Sequence, residues 1–111
     1  MALTTEEKIT GPVGSNDGIV KIKPVVTVLC DGSATITITD SETSQSLKIN
    51  TTITDGTIIT IDCENRTVTD ENGTDYTTYV DIESIWFHFT NDYNISSTGG
   101  IVQSVAFNEG Y

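Results

Sequence analysis

Short stretches of alternating β-branched and polar residues, separated by turn dipeptides, constrain this chain more than any other feature. Thr35–Thr39 alternates threonine with isoleucine, and comparable stretches recur roughly every 8–12 residues. Branched side chains pack well on a pleated surface, and alternation puts the apolar ones on one face. Asp31-Gly32 is typical of a hairpin turn, and Asn72-Gly73 of a two-residue type I′ turn. The pattern predicts an all-β fold, namely a single antiparallel β-sandwich or jelly-roll domain.

The same alternation predicts individual strands and leaves one segment open. Tyr76–Ser84 fits either a returning strand or a short helical crossing, because Asp81 and Glu83 interrupt its apolar period. Pro24 predicts an edge position or a bend, since proline donates no ladder hydrogen bond. Strands are expected at Ile19–Lys23, Val25–Cys30, Ala34–Asp40, around Leu47–Thr51, and at Thr57–Cys63, Arg66–Asp70, Ile85–Thr90 and Ile101–Phe107.

The length of 111 residues suits one domain with a single modest core. Residues 1–17 are rich in breakers and polar residues, so we expect a flexible leader or remnant there and the sandwich domain at 18–111. The N-terminus lacks the apolar core of a signal peptide. No apolar run approaches the ~20 residues that a membrane-spanning helix needs, so no membrane partner is expected.

The charge balance argues against two classes of partner. Five basic residues stand against sixteen acidic ones, for a formal net charge of −11, and every lysine and arginine precedes residue 67. A field of this sign repels phosphate backbones and anionic membranes, so no nucleic-acid partner is expected. Two readings remain open. The acidity gives a soluble, self-repelling surface, or it matches a basic neighbour in an assembly or a divalent cation.

No catalytic constellation assembles from the sequence, so we expect no enzyme, no cofactor and no metal site. The sole histidine, His88, lies between two phenylalanines without a carboxylate at catalytic spacing, which favours a structural or surface role. Asp70–Asp75 superficially resembles a calcium loop, but its glycine comes too early and no glutamate stands at the twelfth position. Cys30 and Cys63 fit no zinc motif; buried thiols are expected, and a disulfide between them stays open.

Aromatic residues in the last third of the chain are the best candidates for recognition. An exposed tryptophan beside tyrosine and aspartate would offer a sugar ring an apolar face with polar groups around it. Two alternatives are that Trp86 packs beneath a loop, or that it anchors a protein interface. The predicted contact set for a glycan or a protein partner is Trp86, Tyr76, Tyr79 and Tyr93.

The order of segments also resembles the C-terminal, galectin-like domain of the distal tail proteins of long-tailed bacteriophages. Gly18–Val28 is similar to that domain's opening, in which a Lys-Pro step leads into an aliphatic strand. Asp31–Ile38 resembles its glycine turn and Thr/Ile strand, and Gly56–Val68 resembles its Ile-Asp hairpin. Three further segments resemble parts of that domain. Asn72-Gly73 is similar to its turn, Trp86-Phe87 to its aromatic strand, and Asn94-Ile95 to its late Asn-Ile step.

The resemblance implies a β-sandwich on the rim of a hexameric ring at the tail tip, where it joins the tail tube to the baseplate or to receptor-binding proteins. In that family a separate N-terminal domain forms the ring. No such domain precedes residue 18, and Asn91-Asp92-Tyr93 replaces the family's glycine-aromatic pair. We therefore expect a domain cut from a longer protein or a small tail accessory.

The function that this resemblance implies is a non-catalytic interaction module of a phage or prophage tail. Its partners would be other tail or baseplate proteins. Its location would be the virion tail tip, and the bacterial host cytoplasm during assembly. The alternative is a carbohydrate-binding module that recognises host cell-surface or cell-wall glycans.

Overall fold

The computed structural model describes residues 8–11, 23–89 and 93–107, and it arranges their strands in two four-stranded antiparallel sheets. The first sheet has the order β1-β7-β3-β4 and the second β6-β5-β2-β8. The all-β sandwich predicted from the alternation is thereby confirmed. The strands are β1 (Lys8–Gly11), β2 (Pro24–Cys30), β3 (Ala34–Asp40), β4 (Gln45–Ile53), β5 (Ile58–Asp62), β6 (Thr67–Asp70), β7 (Tyr93–Thr98) and β8 (Gly100–Phe107), with one 3-10 turn at Thr77–Tyr79.

The core follows directly from the alternation. Along β2 every second residue is buried, and β3 buries Ile36, Ile38 and Asp40 in the same way. Each fully buried aliphatic side chain stabilises the fold by about 1.5–3 kcal/mol through its removal from water. Both sheets contribute to one cluster, made of Val26, Val28, Cys30, Ile36, Ile38, Leu47, Ile49, Ile53, Ile59, Ile61, Cys63, Val68, Phe87, Phe89, Tyr93, Ile95 and Val102.

The connection at Asp31-Gly32 is not the hairpin that its sequence predicted, because β2 and β3 belong to different sheets. Gly32 has a φ of 82° and its N–H donates to Asp55 Oδ1 at 2.7 Å. The N–H of Gly56 donates to the carbonyl oxygen of Cys30 at 2.8 Å. The two crossings β2–β3 and β4–β5 thus bond to each other at one end of the sandwich.

The turn at Asn72-Gly73 is tight, as expected, but it is not type I′. Only Gly73 has a positive φ, of 85°, whereas type I′ needs one at both central residues. The N–H of Gly73 donates to the Asp70 carbonyl oxygen at 3.0 Å, and the Asp70 carboxylate accepts from the N–H groups of Asn72 and Thr74. These bonds select a three-residue loop with glycine at its left-handed position.

Pro24 does not lie in an edge strand, and the bend predicted there concerns Ile19–Lys23, which apart from Lys23 lies outside the described residues. Pro24 is the first residue of β2, a strand flanked by β5 and β8, and its carbonyl oxygen accepts from the N–H of Cys63 at 3.0 Å. The start of a strand tolerates proline because the missing N–H is not needed for the ladder there.

The N-terminal predictions are covered only in part. Lys8–Gly11, within the segment expected to be a leader, forms β1 and pairs with β7. The rest of 1–17 lies outside the described residues, as does the predicted strand Ile19–Lys23 apart from Lys23. The division at residue 18 stays a prediction.

Candidate functional site

One segment, residues 75–89, connects β6 of the second sheet to the neighbourhood of β7 in the first; we call it the crossing segment. At its start Asp75 forms a bridge with Thr69 of β6, and further on Val80 forms one with Ile49 of β4. β6 and β4 are the outermost strands of their sheets on this side. The crossing segment therefore covers backbone edges that would otherwise be open to pairing with other chains.

Hydrogen bonds hold the middle of the crossing segment to β4. The N–H of Asp81 donates to the Lys48 carbonyl oxygen at 2.9 Å, and the N–H of Lys48 donates to Ser84 Oγ at 2.9 Å. The N–H of Ile85 donates to the Ser46 carbonyl oxygen at 2.8 Å. Between these anchors, the N–H of Ser84 donates to the Asp81 carbonyl oxygen at 2.9 Å and closes a four-residue turn.

The predicted strand Ile85–Thr90 is wrong as a strand. Ile85–Phe89 join no ladder, although a single bridge occurs at Phe89. The side chain of Gln45, rather than a strand backbone, meets His88: Oε1 accepts from the His88 N–H at 3.0 Å and Nε2 donates to the His88 carbonyl oxygen at 3.0 Å. A primary amide offers the same donor and acceptor as a peptide group, so this segment keeps strand-like alternation without a neighbouring strand.

A partly buried polar network holds Gln45 in place. Its Nε2 also donates to Thr43 Oγ1 at 2.6 Å, and Thr43 donates both its N–H (3.0 Å) and its hydroxyl to Asp40 Oδ2. Asp40, which is fully buried, accepts from the N–H of Asn94 at its other oxygen at 2.5 Å. The network joins the β3–β4 turn to the crossing segment and to β7, so the segment's position is coupled to the first sheet.

Phe87, Phe89 and Tyr93 pack together inside the sandwich. The ring centroids of Phe89 and Tyr93 lie 5.2 Å apart, and those of Phe87 and Phe89 lie 6.0 Å apart. Tyr93 is only 7% exposed, and this burial raises the pKa of its hydroxyl. Tyr93, a member of the predicted contact set, is thus the first residue of β7 and its side chain packs in the core.

The other predicted aromatics lie on the crossing segment. Trp86 and Tyr76 are half-buried against the core, whereas Tyr79 is 47% exposed. The Tyr76 and Tyr79 rings are tilted by 45° with centroids 6.4 Å apart. The structure thus brings these two tyrosines together at the 3-10 turn, but it does not align them as one flat stacking surface.

Sequence reasoning missed two apolar residues of the crossing segment. Ile82 is 94% exposed and Ile85 is 43% exposed. A weak signal was present, since Asp81 and Glu83 flank Ile82 and break the apolar period of the stretch. Together with Tyr79 they form what we call the exposed apolar triplet: Tyr79, Ile82 and Ile85.

Polar groups that could have carried chemistry make internal contacts instead. His88 is half-buried, with Nδ1 3.3 Å from the Trp86 carbonyl oxygen. The Asp70 carboxylate is used by the backbone of its own turn. Within 8–11, 23–89 and 93–107, no group of three or more His, Cys, Asp or Glu side chains is placed to hold a metal ion.

The two cysteines are buried free thiols. Cys30 Sγ donates to the Ile53 carbonyl oxygen at 3.1 Å, and burial raises the pKa of Cys63 to about 12. Cys63 bonds to Pro24 at the start of β2 and Cys30 ends that strand, so about 20 Å separates them at ~3.3 Å per residue. A disulfide needs Cα atoms within about 7 Å, so these two residues do not form one within the fold.

Comparison with known proteins decides the family. A family model described as "Siphovirus-type tail component, C-terminal domain" matches residues 17–111. The chain belongs to this family of siphovirus tail components. The resemblance seen in the order of segments is confirmed, and the family places the chain in the virion tail.

Comparisons of this tail component with curated proteins and with solved structures give no match. The galectin likeness of its sandwich therefore stays a prediction. Among the described residues no helix is long and apolar enough to cross a membrane.

Proposed function

We propose that this tail component is a non-catalytic interaction module of the tail tip, and that its crossing segment contacts another tail or baseplate protein. The observation that carries the proposal is the exposed apolar triplet on a segment that hydrogen bonds fix to the edge of the sandwich. Single exposed apolar residues are ordinary on protein surfaces, but a contiguous set marks an interaction site.

The supports of the triplet on β4 are close together. Val80 bridges to Ile49 and Ile85 bonds to Ser46, three residues away on the same strand. Three residues of a strand span about 10 Å. The backbone that carries Tyr79, Ile82 and Ile85 is therefore anchored along one short stretch of β4.

The far side of the sandwich is a weaker candidate for the contact. There β8 is the outermost strand of its sheet, and its register with β2 shifts between Thr27 and Val28. Such an irregularity bends an edge strand and weakens its pairing with another chain. Within Gly100–Ala106 of β8, the exposed residues are Gln103, Ser104 and Ala106, which are polar or small.

The side-chain chemistry supports a binding role rather than catalysis. His88 is held through its backbone by Gln45 and carries no carboxylate partner among the described contacts. The Cys63 thiol, with its pKa raised to about 12, stays protonated and unreactive at neutral pH. A binding module of a tail needs neither group.

The carbohydrate alternative has less support from this geometry. Stacking against a sugar requires aromatic faces that are exposed and aligned. Tyr93 is in the core, Trp86 packs partly on the core, and the Tyr76 and Tyr79 rings are tilted. We therefore favour a protein partner over host cell-wall carbohydrate.

The proposal is tested in the phage or prophage that encodes the chain. Replacing the exposed apolar triplet together (Tyr79→Ser, Ile82→Ser, Ile85→Ser) removes the patch, and Ile58→Ser serves as a control because Ile58 is 38% exposed on β5. We expect the triple variant to fold, by circular dichroism, but to yield few complete tails by electron microscopy. Complete tails in normal number would contradict the proposal. Saturable binding of the purified protein to a glycan panel, lost in Trp86→Ala, would support the alternative.

A further inference from the structure

We infer that the turn Asp81–Ser84 inserts Ile82 into an apolar pocket of the partner protein, and that basic side chains line the rim of this pocket. This inference rests on the proposed function, because it names the chemistry of the partner that the crossing segment contacts. The turn, its exposure and its charge support the inference independently.

Ile82 is the most exposed large apolar side chain among the described residues, at 94%. It occupies the first corner of the turn that Ser84 N–H closes on the Asp81 carbonyl oxygen. Turn corners favour proline, glycine, asparagine, aspartate and serine, and isoleucine favours strands. An isoleucine here gains no burial and no local stability. A residue that breaks the local preference without such a gain is expected at a functional site.

The turn presents Ile82 in a fixed position. Asp81 and Ile85, on either side of the turn, donate their N–H groups to β4 carbonyl oxygens at 2.9 and 2.8 Å. Ser84 Oγ accepts from the Lys48 N–H at 2.9 Å, and Asp81 Oδ1 accepts from Asn50 Nδ2 at 3.3 Å. Because the backbone is already ordered, binding through Ile82 costs little conformational entropy.

The charges around Ile82 indicate the rim of the pocket. Asp81 and Glu83 flank it directly, and the chain from residue 67 onward has seven acidic residues and no lysine or arginine. Lys48, whose backbone bonds to the turn, is the one basic residue set against the two acidic residues Asp81 and Glu83, so the local net charge is negative. A partner surface with lysine or arginine around an apolar pocket complements this arrangement.

The same charges argue against a second copy of the chain as the occupant. Each copy carries a formal charge of −11, so two identical acidic turns repel each other. The test must therefore distinguish self-association through Ile82 from binding to another tail protein.

A photo-crosslinking amino acid placed at position 82 tests the occupant in purified tails, with the same amino acid at position 58 as a control. We expect cross-links from position 82 to one segment of another tail protein that combines apolar residues with lysine or arginine. Position 58 should give no cross-link to that segment. Cross-links from position 82 to a second copy of this chain, or none at all, would overturn the inference.

Charge reversal tests the rim. Glu83→Lys and Glu64→Lys change the net charge equally, but Glu64 is exposed on the β5–β6 turn of the second sheet, whereas Glu83 lies in the turn Asp81–Ser84 that β4 of the first sheet holds. Purified tails carrying each variant are washed at about 50 mM and about 500 mM salt, since screening acts over this range. We expect Glu83→Lys tails to lose the chain about tenfold faster at low salt, and Glu64→Lys tails to retain it as the native ones do. Equal loss from both would overturn a basic rim.

Deleting the chain separates this inference from the proposed function. Complete tails formed without the chain would contradict the proposed function itself. If deletion abolishes tails while Ile82→Ser forms them normally, the proposed function stands and the inference about Ile82 fails.

Discussion

The side-chain amide of Gln45 makes both backbone hydrogen bonds of His88, accepting from its N–H and donating to its carbonyl oxygen at 3.0 Å each. Gln45 is the first residue of β4 and is only 6% exposed. One side chain thereby replaces a strand neighbour for the end of the crossing segment. Loss of this amide would leave peptide groups of a half-buried segment without their partners.

Gln45→Ala is expected to destabilise the protein by about 2 kcal/mol or more, because two hydrogen bonds are lost and buried groups remain unpaired. Gln103→Ala is the control, since Gln103 is exposed and makes only a 3.5 Å contact with the Ile101 carbonyl oxygen. Urea unfolding measures both variants. Equal free energies of unfolding in the two would show that the Gln45–His88 contact does not hold the segment.

Gly99→Ala is expected to destabilise the fold far more than Gly73→Ala. Both glycines have positive φ, 82° and 85°, so both substitutions carry a backbone penalty of about 1 kcal/mol. A Cβ at Gly99 would also stand 2.1 Å from the Thr35 carbonyl oxygen, whereas one at Gly73 would meet nothing within 4 Å. Thermal unfolding should show a clearly lower midpoint for Gly99→Ala. Similar midpoints for the two variants would contradict the close approach at Gly99.

The Cys63 thiol predicts a loss of stability at alkaline pH. Its pKa is raised from 9.0 to about 12, first by burial, so above pH 9 the unfolded chain loses this proton while the folded chain keeps it. The contribution of the protonated Cys63 thiol to the free energy of unfolding is fully present below pH 9 and is lost as the pH rises towards 12. Between pH 8 and pH 10 the free energy of unfolding of the native protein should fall by roughly 1 kcal/mol more than that of Cys63→Ala. Parallel pH profiles of the two proteins would refute this.

Ile82→Ser should leave the stability of the isolated protein within about 0.5 kcal/mol, because Ile82 contributes almost no buried area. Ile49→Ala should cost about 2–5 kcal/mol, since Ile49 is fully buried in β4. Chemical denaturation of both variants measures the contrast. A large loss of unfolding free energy in Ile82→Ser would mean that Ile82 packs against its own chain and is not free to bind a partner.

Local alternation predicted the strands that bury a regular aliphatic set, such as β3 at Ala34–Asp40. β7 was missed because its inward positions are Tyr93, Ile95 and Ser97, and a serine interrupts the apolar period. Ser97 fits the core because its hydroxyl donates to the Gly100 carbonyl oxygen at 2.6 Å. That contact depends on the crossing between sheets, which alternation does not encode.

The candidate site was predictable only in location. The aromatics of the last third indicated the crossing segment. Residue type, however, suggested an exposed Tyr93 and a buried Ile82, whereas Tyr93 is buried and Ile82 is exposed. Whether an aromatic or an aliphatic residue is buried depends on which edge the segment covers. Here the Gln45 amide and the β4 carbonyl oxygens decide that register, and they lie 33 to 43 residues before the groups they bind.

Hydroxyl-radical footprinting of the free protein and of assembled tails tests most directly whether the crossing segment is the contact surface. Oxidation of Tyr79, Ile82 and Ile85 should fall severalfold in the tail, while exposed Ile58 should be oxidised equally in both states. Unchanged oxidation of the triplet, with protection on β5 or β8 instead, would contradict the account.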